Sequence, residues 1–146
     1  MIKIKLLKNI DEENSKFIFN LRNKLYVRKN SLTIKKISKK NHKDWINKFF
    51  KNKRKNKLYI IRNDNLPAGY IRLEFNKNAF NTSWALIKKF QGKGIAKKGL
   101  IFATKNKKDK YSAIVKKDNV PSLKVALSAK FKLTKQNKNI LYLKKN

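Results

Sequence analysis

Between residues 58 and 87 the chain reads as three strands in succession, and this stretch restricts the possible folds more than any other. Leu58-Tyr59-Ile60-Ile61-Arg62 is β-branched and aromatic. Gly69 to Phe75 alternates, with Tyr70, Arg72 and Glu74 on one face and Ile71, Leu73 and Phe75 on the other. Thr82 to Ile87 makes the third strand. Residues 63–69 and 76–81 between them are dense in Asn, Asp, Pro and Gly, the residues of turns. The reading is a three-strand antiparallel meander.

The flanks fit around that meander. Residues 2–8 alternate as a first strand. Asp11-Glu12-Glu13-Asn14 places carboxylates at the positive end of a helix, and Phe17, Ile18, Leu21 and Leu25 keep helical spacing to about residue 25. Trp45, Ile46, Phe49 and Phe50 put four large apolar groups on one side of a second helix. After the meander, a glycine turn opens a helix through Leu100, Ile101 and Ala103, and Tyr111 to Val115 is another strand. Val120 to Ala129 is a helix with Pro121 at its first turn and Asn119 or Asp118 as cap. Phe131–Leu133 and Ile140–Leu143 form a last hairpin around Asn137-Lys138-Asn139. The expectation is one α+β domain over residues 1–146, its mixed, mostly antiparallel sheet having about seven strands and about four flanking helices.

A chain of 146 residues carries one core but not two. It has no cysteine, hence no disulfide or thiolate metal site. The amino terminus lacks the apolar run of a signal peptide, and no 18 apolar residues run together, so the expected setting is cytoplasmic with no membrane partner. The formal net charge of +32 invites a nucleic-acid reading. Against it, the lysines are spread through every segment, and only Arg22, Arg28, Arg54, Arg62 and Arg72 are arginine, the better bidentate reader of phosphates and bases. Lys, Asn and Ile together are what AT-rich codons encode, so drift with a solvated surface is the preferred account. One histidine and scattered acids make no metal cluster, so no metal is expected; no Ser-His-Asp spacing points to a covalent intermediate.

The chemistry gathers at Gln91-Gly92-Lys93-Gly94-Ile95-Ala96. A glycine turn between a strand and a helix start brings backbone N–H groups and the helix dipole to bear on an anion. Gly92 and Gly94 supply backbone freedom, Ile95 anchors the helix, and Lys93, Lys97 and Lys98 add charge. The segment matches neither the Walker loop nor the three-glycine dinucleotide loop. It resembles the acetyl-coenzyme A loop of the GCN5-related N-acetyltransferases (GNAT), Gln/Arg-x-x-Gly-x-Gly/Ala, through Gln91, Gly94 and Ala96. Trp84 to Phe90 is similar to that family's splayed fourth strand, and Asn119-Val120-Pro121-Ser122 to its Asn-x-x-Ser segment. The comparison spans roughly residues 56–143. Leu21-Arg22-Asn23, Val27-Arg28-Lys29 and His42-Lys43-Asp44-Trp45, with the Tyr70-Ile71-Arg72 strand, resemble members acetylating nucleotide-linked amino sugars, as in pseudaminic acid synthesis.

The resemblance implies acetyl-coenzyme A as co-substrate, held by Leu86, Ile87, Gln91 through Ala96, Asn119 and Ser122. It implies an acceptor side formed by helices over residues 11–53, with Arg22, Asn23, Arg28, His42, Trp45 and Arg72 facing a small-molecule amine, and a monomer or homodimer. The amine attacks the thioester directly, so catalysis is positioning plus oxyanion stabilisation, with a base to take the amine proton. Glu74 and His42 are the candidates. Glu74 is one of eight acids and lies on the strand facing the cleft, though pairing with Arg72 is its plainer role. His42 and Trp45 equally suit capping and core packing, and Tyr111 a buried strand aromatic. Two positions depart from the family pattern: the tyrosine that serves the leaving thiol is Ala126, and the glycine before Phe131 is Lys130. The alternatives are a basic RNA- or DNA-binding protein and a GNAT fold that binds coenzyme A without turnover.

Overall fold

The computed structural model describes all 146 residues. Its elements run β1 (Ile2–Leu6), α1 (Glu12–Arg22), α2 (Leu25–Arg28), α3 (Lys39–Lys51), β2 (Asn56–Asn63), β3 (Leu66–Asn76) and β4 (Ala79–Leu86). A 3-10 turn (Lys88–Phe90) follows, then α4 (Ile95–Ala103), β5 (Tyr111–Lys116), α5 (Val120–Ser128), β6 (Lys132–Gln136) and β7 (Ile140–Lys145). The seven strands form one sheet in the order β1-β2-β3-β4-β5-β7-β6, antiparallel throughout except for the parallel β4–β5 pair.

The α+β expectation and strand number hold, while the helices number five rather than four. The helix expected to reach Leu25 stops at Arg22, and a separate four-residue helix restarts at Leu25. The four-residue step from Leu21 to Leu25 continues an apolar stripe across a break that periodicity cannot register. β4 begins three residues earlier than expected, because the β3–β4 turn is only Lys77-Asn78, with Lys77 at φ +61°. Asp64 and Asn65 make the β2–β3 turn at φ +49° and +69°, conformations these residues accept without glycine. Pro67 falls where the β2–β3 register shifts, a place in a sheet that tolerates a residue without an N–H.

Alternation sorts the sheet into two faces. Tyr59, Ile61, Ile71, Leu73, Phe80, Tyr111, Ala113, Val115, Leu141 and Leu143 join residues of α4 and α5 in the larger core. On the other face Leu58, Ile60, Tyr70 and Ala85 pack with Ile18, Leu21 and Phe49 of α1 and α3. The Asp11 side chain accepts from Asn14 N–H and that of Ser38 from Asn41 N–H, starting α1 and α3 where the sheet needs its cover.

Candidate active site

The parallel pair β4–β5 is joined only at Phe80↔Tyr111 and Asn81↔Ser112. Beyond Asn81, β4 stays in register with β3 as far as Gly69↔Leu86, while β5 follows β7 from end to end. Residues 82–86 therefore have no strand partner on their β5 side, and a wedge opens between the two strands. Gly69 keeps β3 close to β4 at its wide end: a Cβ there would stand 2.3 Å from the Ala85 carbonyl oxygen.

At that wide end the chain turns into α4. Buried Phe90 anchors the turn, and Gln91 Nε2 donates to the Leu86 carbonyl at 3.2 Å, tying loop to strand. Gly92 and Gly94 both sit at φ +77° with open space where a side chain would project. The backbone N–H groups of residues 92–97 donate to no acceptor within the protein. Ile95 and Ala96 are buried and fix the helix beneath them. Successive free N–H groups at a helix start, ringed by exposed Lys93, Lys97 and Lys98, form an anion cradle. Nothing in the protein already satisfies those donors, so they are free to meet an anion.

Of the other residues linked to the co-substrate, Ile87 donates its N–H to Ala68, and Leu86 is buried in the larger core. Asn119 is buried and caps α5, its Oδ1 accepting from Ser122 N–H at 3.4 Å. Both residues thus work in the helix start itself. Ala126 is fully buried, and its carbonyl accepts from Phe131 N–H at 3.0 Å. Burial pushes the Tyr111 hydroxyl up to about 12, and it donates to the Asn106 carbonyl at 3.3 Å.

On the α1/α3 face, Arg22 and Arg72 converge on one indole. Their guanidinium carbons lie 4.7 and 5.3 Å from the Trp45 ring centroid. Arg72 Nε is also 2.9 Å from Glu74 Oε1 and 3.1 Å from Ser83 Oγ on β4. Burial, then repulsion from Arg72, holds Arg22 below its usual value, and its buried Nη1 has no partner. Burial also raises Tyr70 beside them. His42 is 5% exposed, packed between Phe19 and Trp45 with ring centroids 5.2 and 5.9 Å away. Its Nε2 lies 3.0 Å from the Ser15 carbonyl oxygen and its Nδ1 has no partner. Burial lowers its pKa.

The structure thus gathers Arg22, Trp45, Arg72, Glu74 and His42, and sets Asn23 and Arg28 apart. Asn23 exchanges two hydrogen bonds with the Ile37 backbone, and Arg28 donates to the carbonyls of Asn23 and Ile34. Both shape the segment joining α2 to α3. Three participants were not foreseen. Ser83 and Ser15 meet Arg72 and His42, and the Tyr26 hydroxyl accepts from Lys88 N–H at 3.2 Å, pinning α2 beside the end of β4. The sequence carries no local signal for Tyr26, because its partner lies 62 positions away.

A family model described as an acetyltransferase (GNAT) domain matches residues 6–132. Among solved structures, a domain from Methanocaldococcus jannaschii DSM 2661 aligns over 100% of this chain and 99% of its own, with TM-score 0.82 and 19% identity. Campylobacter jejuni N-acetyltransferase PseH in complex with acetyl coenzyme A aligns over 99% and 97%, with TM-score 0.70 and 18% identity. Spermidine N-acetyltransferase from Vibrio cholerae, in complex with CoA and spermine, aligns over 97% and 94%, with TM-score 0.79 and 13% identity. No curated protein matches the chain in sequence. No helix is long and apolar enough to cross a membrane, and no three His, Asp or Glu gather as a metal would require.

Proposed function

The chain belongs to the acetyltransferase (GNAT) domain family, and from that premise we propose that it moves the acetyl group of acetyl-coenzyme A onto the primary amine of a nucleotide-linked amino sugar. The observation that carries the co-substrate half is the run of free N–H groups from Gly92 to Lys97 beside the β4–β5 wedge. These groups and the nearby lysines hold the pyrophosphate, and the unpaired edge of β4 lies along the arm that follows. Acetyl-coenzyme A brings an activated thioester; the protein's part is to hold that carbonyl and the amine together and to take up a proton.

The acceptor half rests on Arg22 and Arg72 over Trp45. Arginine is scarce in this lysine-rich chain, so two of five meeting on one indole is not an effect of composition. Glu74, part-exposed beside Arg72, is the base in this reading. His42, with one nitrogen on Ser15 and its ring between two aromatics, positions Trp45. Asn23 and Arg28 set the segment above the acceptor. Fully buried Ala126 favours one second reading, coenzyme A binding without turnover.

Melting in the presence of acetyl-coenzyme A tests the cradle. The ligand is expected to raise the melting temperature of the parent protein and not that of Gly94→Trp, where a Cβ at φ +77° strains the loop and an indole fills the phosphate space. No rise in the parent sinks the proposal; a rise with acetyl transfer only to other amines overturns the amino-sugar acceptor, and a rise with no transfer to any amine selects the second reading.

A further inference from the structure

From Thr82 to Leu86, β4 has no partner on its β5 side, and its two hydroxyls fall on opposite faces of the sheet. Thr82 is buried and spends its proton on the Phe80 carbonyl at 3.2 Å. Ser83 stands on the face that α1 and α3 cover, directly across the ladder from Arg72. Its Oγ accepts from Arg72 Nε at 3.1 Å, the same nitrogen that lies 2.9 Å from Glu74 Oε1. A hydroxyl that accepts in this way still has its own proton to give. Arg72 reaches it from β3, which leaves the β5 side, where the wedge opens, for that proton. Donation from a cation into the oxygen also polarises the O–H and makes it a stronger donor.

Reach decides what the proton can meet. Gln91 Nε2 ties the cradle loop to the Leu86 carbonyl at 3.2 Å. From Leu86 back to Ser83 the extended strand covers about 10 Å. The arm between the phosphates and the sulfur of acetyl-coenzyme A runs through about 12 bonds, which at the advance of an extended chain spans roughly 14 Å. Laid along the unpaired edge of β4 from the cradle, that arm brings its thioester level with Ser83. Sulfur is a weak acceptor, so of the two thioester atoms in reach the carbonyl oxygen takes the bond.

We infer that the Ser83 hydroxyl donates to the carbonyl oxygen of the bound thioester, with Arg72 as the residue that aims it. This rests on the co-substrate reading above and adds a contact to the reacting atoms that the reading lacked. The amine lone pair forms the C–N bond while the C=O pair moves onto oxygen, where the Ser83 O–H meets the growing charge. The amine proton passes to Glu74. The oxyanion pair then returns, the C–S bond breaks, and its electrons leave on sulfur as the thiolate. Solvent protonates the sulfur and recovers the proton from Glu74.

The test is infrared spectroscopy of acetyl-coenzyme A labelled with carbon-13 at the thioester carbonyl and bound to the protein without any amine. The carbonyl band is expected at higher wavenumber in Ser83→Ala than in the parent, and back at the parent position in Ser83→Thr, which keeps the hydroxyl. Arg72→Met, which keeps the hydroxyl but not its aim, should move the band less than Ser83→Ala does. With an amino-sugar nucleotide that the parent acetylates, Ser83→Ala should lower kcat by about a hundredfold and leave the KM for acetyl-coenzyme A little changed. One band position for parent and Ser83→Ala, no recovery in Ser83→Thr, or an unchanged kcat overturns the inference. So does a shift in Arg72→Met as large as that in Ser83→Ala, which gives the contact to the guanidinium. A parent that binds acetyl-coenzyme A but acetylates no amine defeats the transfer reading alone, and the band positions still decide Ser83. A parent that does not bind acetyl-coenzyme A defeats the cradle, and this inference falls with it.

Discussion

A guanidinium keeps its charge when half-buried, so Arg22 and Arg72 sharing one indole repel each other, and Glu74 neutralises only one of them. Glu74→Gln separates two roles for that carboxylate. As base, its loss is expected to cut kcat by about a hundredfold; an unchanged kcat with a raised acceptor KM would leave it only the counter-ion of Arg72. His42 makes a cleaner prediction, being the sole histidine. Burial holds it below its ordinary 6.5, partly offset by its bond to the Ser15 carbonyl, with Arg22 adding repulsion. The folded chain therefore binds fewer protons than the unfolded one. Its contribution to stability is complete above pH 6.5 and lost as pH falls from there through the lower folded value. Melting temperature should fall between pH 7 and 5, and His42→Phe, which keeps a ring against Phe19 and Trp45, should flatten that slope. A slope of equal size in the variant would remove His42 from the account.

What the sequence disclosed at the level of elements depended on where each signal resides. The glycine loop was legible because Gly92, Gly94 and the following apolar run lie within a few residues of one another. The wedge was not, since it arises from β4 following β3 while β5 follows β7, and no local pattern records that. Likewise, α2 hid inside a continuing apolar stripe, because alternation and spacing tell which side is apolar and not where the backbone breaks. Lys130, where the resembled family has glycine, proves to sit at a helix end with a left-handed backbone. α5 ends with Phe131 N–H on the Ala126 carbonyl and Lys130 N–H on that of Leu127, and Lys130 stands at φ +75° where glycine is unstrained. Lys130→Gly is therefore expected to stabilise the protein by about 1 kcal/mol, read by denaturant unfolding. Gly69→Ala has the opposite sign, because its Cβ meets the Ala85 backbone; a loss of about 2 kcal/mol or more is expected. A neutral outcome there would mean that β3 and β4 separate easily beside the wedge.

For the whole molecule, the charge of +32 pulls binding and folding in opposite directions with salt. Spread over every element, the lysines repel one another in the compact state, and added ions screen that repulsion within a Debye length of about 10 Å at 0.1 M. The same ions screen the attraction between Lys93, Lys97 and Lys98 and a polyanionic co-substrate. Raising sodium chloride from low to moderate concentration should therefore raise the melting temperature of the free protein while weakening acetyl-coenzyme A, by about tenfold if the surrounding field supplies about 1.4 kcal/mol of its capture. Short hydrogen bonds from the backbone N–H groups of residues 92–97 are less sensitive, so a residual affinity should persist at high salt. Lys93→Ala, Lys97→Ala and Lys98→Ala together should flatten the salt dependence without abolishing that residue of binding. If the triple variant keeps the parental slope, the attraction comes from the molecule's diffuse charge and the loop lysines are bystanders. If it loses binding altogether, the lysines rather than the free N–H groups form the cradle.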